Sequence, residues 1–132
     1  VDMDFDSLIA SIQSGKIDMS LAGMTVTEER KQNVDFTDSY ATGVQVIIVK
    51  DDSDIASVDD LQDKLIGVQQ GTTGQYYVEG SEDWGFPGLP AKCVTYKSGS
   101  LAVQDMLNGN IQYVIIDAAP AAAITDAINA VQ

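Results

Sequence analysis

Four short apolar runs, Val44–Val49, Leu65–Val68, Cys93–Tyr96 and Ile111–Ile116, are rich in β-branched residues and alternate with passages of helical spacing. That alternation specifies an α/β fold with a mainly parallel sheet. At 132 residues the chain can build one or two small domains, and 45% apolar content is that of a folded protein rather than a disordered one.

Around the runs, the local signals set element ends. Asp6 is placed to cap a helix through Leu8, Ile9 and Ile12 that Gly15 stops, with a strand expected near Ile17–Ala22. Ser100 is placed to cap a second helix through Ala102, Val103, Met106 and Leu107, ended by Asn108-Gly109 before Ile111–Ile116. The two passages align at a constant offset, Ser14-Gly15-Lys16-Ile17-Asp18 over Asn108-Gly109-Asn110-Ile111-Gln112, which suggests one αβ unit used twice. Lys50–Asp54 reads as an acidic loop, Val58–Asp63 as helical, and Gln75–Leu89 as a weak helix breaking into an irregular loop. Pro120 suits the first helical position of an alanine-rich helix over Pro120–Val131.

Charge and composition exclude several functions. With 20 acidic and 7 basic side chains, the basic residues scattered with no run longer than Arg30-Lys31, no stripe exists to neutralise phosphates, so nucleic acid and anionic membrane are not expected partners. The absence of histidine removes imidazole triads and histidine zinc sites, and a single cysteine, Cys93, forms no internal disulfide. Cys93 reads as a small apolar residue of a strand, and no cofactor or metal is expected.

Open α/β sheets bind ligands beyond the carboxyl ends of their strands. Three such places are readable: Gly23 to Arg30 after the first expected strand, Gln69 to Gly74 after Leu65–Val68, and Asp117 after Ile111–Ile116. Gln70-Gly71-Thr72-Thr73 opens a helix and reads either as an anion-binding turn or as an ordinary threonine cap. Arg30, the one arginine, is either a solvated surface residue or a fork for a carboxylate. Asp117 follows an apolar run and reads equally as a helix cap or as the partner of a cation. One cation, one anion and an anion-binding turn match the two charges of a free α-amino acid.

A resemblance covers most of the chain. Met3-Asp4-Phe5-Asp6-Ser7-Leu8-Ile9, Ser14-Gly15-Lys16-Ile17-Asp18, Ala22-Gly23-Met24-Thr25-Val26-Thr27-Glu28-Glu29-Arg30, Val34-Asp35-Phe36-Thr37-Asp38-Ser39-Tyr40, Gly67-Val68-Gln69-Gln70-Gly71-Thr72-Thr73-Gly74 and Leu107 through Asp117 stand in one order. Together they resemble the consecutive motifs of bacterial extracellular solute-binding proteins of the polar amino acid family.

The resemblance implies a periplasmic-binding-protein type II-like fold, with residues 1–43 as part of the first lobe and 44–132 as most of the second. Val44–Val49 would cross between them. It implies a free amino acid as ligand and the membrane permease of an ATP-driven ABC transporter as partner. It also implies a periplasmic or extracellular place, with or without a lipid anchor on an N-terminus outside this sequence. Carried over by position, Arg30 would hold the ligand α-carboxylate, helped by backbone groups at Thr25 and Thr73. Asp117, the Gly23 carbonyl and the Thr25 hydroxyl would hold the α-ammonium. Phe5 would wall the ligand side chain, with Gln69 and Thr72 at the second-lobe edge.

The family's first strand and helix and its return crossing are missing here, so the sequence reads as an internal fragment. Leu8, Ile9, Ile12, Val34 and Phe36 would then lack their usual packing partners, and this portion is expected either to pack against another copy of the chain or to stay poorly ordered. No nucleophile with an activator can be assembled, so a binding protein is favoured over a lyase, whose titratable groups would be Asp117 and Asp4. The other alternative is a ligand-sensing input domain of a membrane receptor or kinase.

Overall fold

The computed structural model describes residues 1–82 and 85–131 and has the expected α/β layout. Strands β1 (Gln45–Ile48), β2 (Leu65–Gln69), β3 (Lys92–Tyr96) and β4 (Tyr113–Asp117) form one sheet in the order β1-β4-β2-β3. β2 pairs in parallel with both β3 and β4, while β1 runs antiparallel to β4. The helices after 43 are a 3-10 turn at Val58–Leu61, α3 (Thr73–Glu79), α4 (Gly99–Leu107) and α5 (Ala118–Asn129).

The central strands are apolar on both sides because both sheet faces are covered. Alternation along β4 sends Val114 and Ile116 to one face, with Ala102, Val103, Met106 and Ala121 of α4 and α5. Tyr113 and Ile115 go to the other, with Leu61, Ile66, Val68 and Val78. Gly67 faces α4, where a Cβ would land 2.5 Å from Ile111 and 3.3 Å from Ala102, so the absent side chain lets helix and sheet close. Each fully buried aliphatic side chain here contributes about 1.5–3 kcal/mol of transfer free energy.

Residues 1–43 behave differently. They hold a 3-10 turn at Phe5–Ser7, α1 (Leu8–Gln13) and α2 (Glu28–Lys31), and the fully buried residues among them are polar: Ser11, Thr27 and Arg30. Leu8, Ile9, Ile12, Val34 and Phe36 are only half-buried. The strand expected at Ile17–Ala22 does not form; no described strand lies beside it to pair with, and Met19 and Leu21 are exposed.

Several element ends differ from expectation. Asp6 does not cap α1: the chain turns helical earlier, after the extended Asp4, so Asp6 lies inside the 3-10 turn. Ser98 rather than Ser100 caps α4, its side chain accepting from the Leu101 N–H at 3.3 Å. Pro120 sits third in α5, not first, a position still ahead of the intrahelical N–H bonds and therefore tolerated. The Gln75–Leu89 passage is α3 followed by an irregular loop, of which Asp83 and Trp84, like Gln132, lie outside the described residues.

The internal match holds at the helix ends. Gly15 (φ 76°) and Gly109 (φ 85°) are left-handed, and the Lys16 N–H to Ser11 carbonyl and Asn110 N–H to Asp105 carbonyl bonds close the same turn. It fails one step later, where β4 follows α4 and no strand follows α1.

Candidate ligand-binding site

Parallel pairing brings the carboxyl ends of β2, β3 and β4 to one edge of the sheet, and antiparallel β1 starts there, with Gln45 opposite Asp117. Residues 1–43 lie across this edge. Lys97, just past β3, is 3.7 Å from Asp4 and 3.9 Å from Asp6, and a Cβ on Gly71 would stand 2.8 Å from that of Asp6. Gly71 also needs its left-handed φ of 80°, so the turn at this contact is written for glycine twice over.

Arg30 anchors one half of the site. Thr27 caps α2 by accepting from the Arg30 N–H at 2.9 Å, which fixes the start of the side chain. The guanidinium then donates to the Thr25 carbonyl and to the Gly71 carbonyl, each at 2.7 Å, and lies 5.6 Å over the Phe5 ring. Arg30 is 7% exposed and makes no ion pair among the described residues. Burial lowers its affinity for the proton, which the nearby Tyr76 and Glu29 partly restore. A guanidinium has five N–H donors, so two carbonyls leave capacity for an anion.

Asp117 anchors the other half. It occupies the position before α5, yet its side chain makes no capping hydrogen bond. Its carboxylate instead accepts from Gln45 Nε2, which also donates to Thr73 Oγ1 at 3.1 Å. Glycines leave room around it: a Cβ on Gly23 would be 3.5 Å from Oδ2, and one on Gly43 would be 3.8 Å from Oδ1. Partial desolvation raises the Asp117 pKa above the ordinary carboxylate value, opposed by the Gln45 hydrogen bond. Among the described residues no cation pairs with it.

The expected residues therefore gather in two linked groups. Arg30 joins Thr25 and Phe5 to the Gly71 turn; Gln45 joins Thr73 to Asp117, with Gly23 beside the Asp117 carboxylate. Thr72 precedes α3 but does not cap it, since its hydroxyl donates to the Gln69 carbonyl at 2.7 Å. Gln69 joins Phe5 and Leu8 in lining an open cavity of about 670 Å³, and Phe5, Arg30, Gly71 and Tyr76 line a smaller one of about 230 Å³. The Thr25 carbonyl is engaged by Arg30 itself, so it positions the guanidinium. Gln45 and Tyr76 were missed. Gln45 was detectable only by pairing the start of Val44–Val49 antiparallel with the end of Ile111–Ile116.

Over residues 1–129 the sequence matches the bacterial extracellular solute-binding proteins, family 3. The chain belongs to that family. It is 51% identical over 71 residues to the arginine-binding extracellular protein ArtP of Bacillus subtilis, covering 54% of this chain and 28% of that protein. It is 37% identical over 115 residues to the ABC transporter arginine-binding protein 1 of Escherichia coli, covering 87% of this chain and 44% of that protein. An ancestral arginine-binding protein superposes with a TM-score of 0.84 when bound to arginine, at 40% identity, over 96% of this chain and 54% of that one. Its glutamine-bound structure gives 0.83 at 41% identity, with the same coverage. The chain thus spans less than half the length of these curated relatives and about half that of the solved structures, and its α/β fold is that of the type II periplasmic binding proteins. In the same family context Cys93 stays a packing residue, half-buried, with burial and Glu79 pushing its thiol up to about 12.

Proposed function

We propose that the protein binds a free amino acid between two lobes and hands it to the permease of an ATP-driven importer, without catalysing a reaction. In this reading residues 1–43 belong to one lobe and 44–132 to the other, Val44–Val49 crosses between them, and Arg30, Asp117 and the Gly71–Thr73 turn grip the ligand backbone. One observation carries the reading: a buried guanidinium and a half-buried carboxylate stand at the same sheet edge, and neither is held in an ion pair among the described residues. An isolated buried charge is costly, and a ligand carrying a carboxylate and an ammonium relieves both at once.

Phe5, Gly23, Thr25, Gln69, Thr72 and Thr73 complete the proposed site around those two charges. Relatives named for arginine and histidine support the ligand class, and the extracellular and periplasmic names among them support a place outside the cytoplasmic membrane, with or without a lipid anchor. The half-buried apolar residues of 1–43 support self-association when the rest of the first lobe is absent.

Calorimetry of the full-length protein against L-arginine, L-histidine, L-glutamine, a sugar and a dipeptide tests the proposal. Saturable heat from at least one free amino acid and none from the sugar or dipeptide is expected. Heat from the sugar or dipeptide alone overturns it.

A further inference from the structure

Gln45 is not among the candidate residues read from the sequence, yet its side chain hydrogen-bonds both Asp117 and Thr73. Its place is set by the sheet: Gln45 is the cross-strand partner of Asp117 where β1 and β4 pair, so the two side chains rise from the same face at the ligand edge. Its Nε2 carries two hydrogens, and the structure uses one for the Asp117 carboxylate and one for Thr73 Oγ1. The amide orientation follows from chemistry, because an ionised carboxylate only accepts. The remaining Oε1 is buried, has no hydrogen-bond partner among the described residues, and lies 3.0 Å from where a Cβ on Gly74 would stand, so the start of α3 confines the amide. The two bonds the amide donates, to Asp117 and Thr73, are the hydrogen bonds that fix it among the described residues.

We propose that Gln45 is a positioning residue for ligand binding: it holds the Asp117 carboxylate toward the ligand ammonium and ties it to the first turn of α3. This rests on the amino acid reading above. Without the Gln45 donor, Asp117 is free to rotate toward the N–H groups that open α5, the cap it does not make in the structure. The groups meeting the carboxyl are the Gln45 amide from β1 and the backbone at Gly23 and Gly43, none of them charged, so the hydrogen bond from Gln45 is the contact that favours the ionised form.

The test compares wild type with Gln45→Met, which keeps the length and loses the donor, in the full-length protein. Calorimetry with L-arginine at pH 8 and pH 5.5 is paired with an NMR titration of the Asp117 carboxyl in the ligand-free protein. Expected are a dissociation constant raised about tenfold at pH 8, a larger loss at pH 5.5, and an Asp117 midpoint above that of wild type. Unchanged affinity with an unchanged midpoint overturns the proposal. Wild type that binds no amino acid would sink the functional reading instead, and the titration would still report the Gln45–Asp117 contact. Should Gln45→Met not fold, Gln45→Glu keeps the shape: two carboxyls in contact share a proton, so one titrates well above the ordinary range, whereas two ordinary midpoints overturn the contact and the proposal with it.

Discussion

Replacing Arg30 by methionine separates a ligand-binding arginine from a structural one. The guanidinium is 7% exposed and donates two hydrogen bonds to carbonyls at 2.7 Å. Charge-assisted bonds of this kind contribute about 1.5–3 kcal/mol each, so about 3–6 kcal/mol together. Against this stands the desolvation of a cation, several kcal/mol, with no ion pair among the described residues to offset it. The two nearly cancel, so Arg30→Met is expected to change unfolding free energy by no more than about 2 kcal/mol. Ligand binding has no such cancellation, because the ligand carboxylate loses its partner inside a closed site. That loss costs about 2–5 kcal/mol, a dissociation constant raised roughly 30- to 5000-fold. Denaturant melts and arginine calorimetry on the same preparation read both quantities. Arg30→Lys is expected to bind poorly as well, since one ammonium does not span two carbonyls and a carboxylate. A variant that unfolds more easily by 4 kcal/mol or more, on the order of both lost bonds, yet keeps its affinity would refute the reasoning and make Arg30 a structural clamp.

Asp117→Asn is expected to weaken binding by about 2–5 kcal/mol while leaving the ligand-free protein more stable at neutral pH. The sign follows from linkage: a carboxyl whose folded pKa is raised binds its proton more tightly when folded, so its ionisation costs stability above that pKa and the cost vanishes as pH falls below it. Thermal unfolding of both proteins at pH 7 and pH 3 checks this, and a stability gain that persists at pH 3 contradicts it. Gly67→Ala, which drives a methyl to within 2.5 Å of Ile111 and 3.1 Å of Tyr96, is expected to cost about 1–3 kcal/mol in a denaturant melt without changing ligand specificity.

Much of the fold was readable because its strands are buried on both faces and therefore continuous apolar runs: β2 is Leu65–Val68 extended by Gln69, and β4 is Ile111–Ile116 shifted toward Asp117. The failure at Ile17–Ala22 has a different cause. A strand is a property of a pair, and local sequence reports only one member. Two helix starts slipped by two residues for different reasons: Ser98 offers the same hydroxyl cap as Ser100, whereas the first turn begins after the extended Asp4 with no side-chain cap at all. At the site, Arg30 and Asp117 stood out by chemical rarity, one as the only arginine and one as an acid ending an apolar run. Gln45 carried no such mark; its role depends on strand register across 72 positions of chain.

The central claim is that Arg30 and Asp117 read the two charges of an amino acid backbone. Calorimetry of the full-length protein with L-arginine, agmatine, which lacks the carboxylate, and Nα-acetyl-L-arginine, which lacks the ammonium, tests it most directly. The account predicts saturable binding of L-arginine and a loss of at least about 2 kcal/mol for each analogue, the agmatine loss disappearing in Arg30→Met and the acetyl-arginine loss in Asp117→Asn. Equal affinity for all three ligands would contradict it.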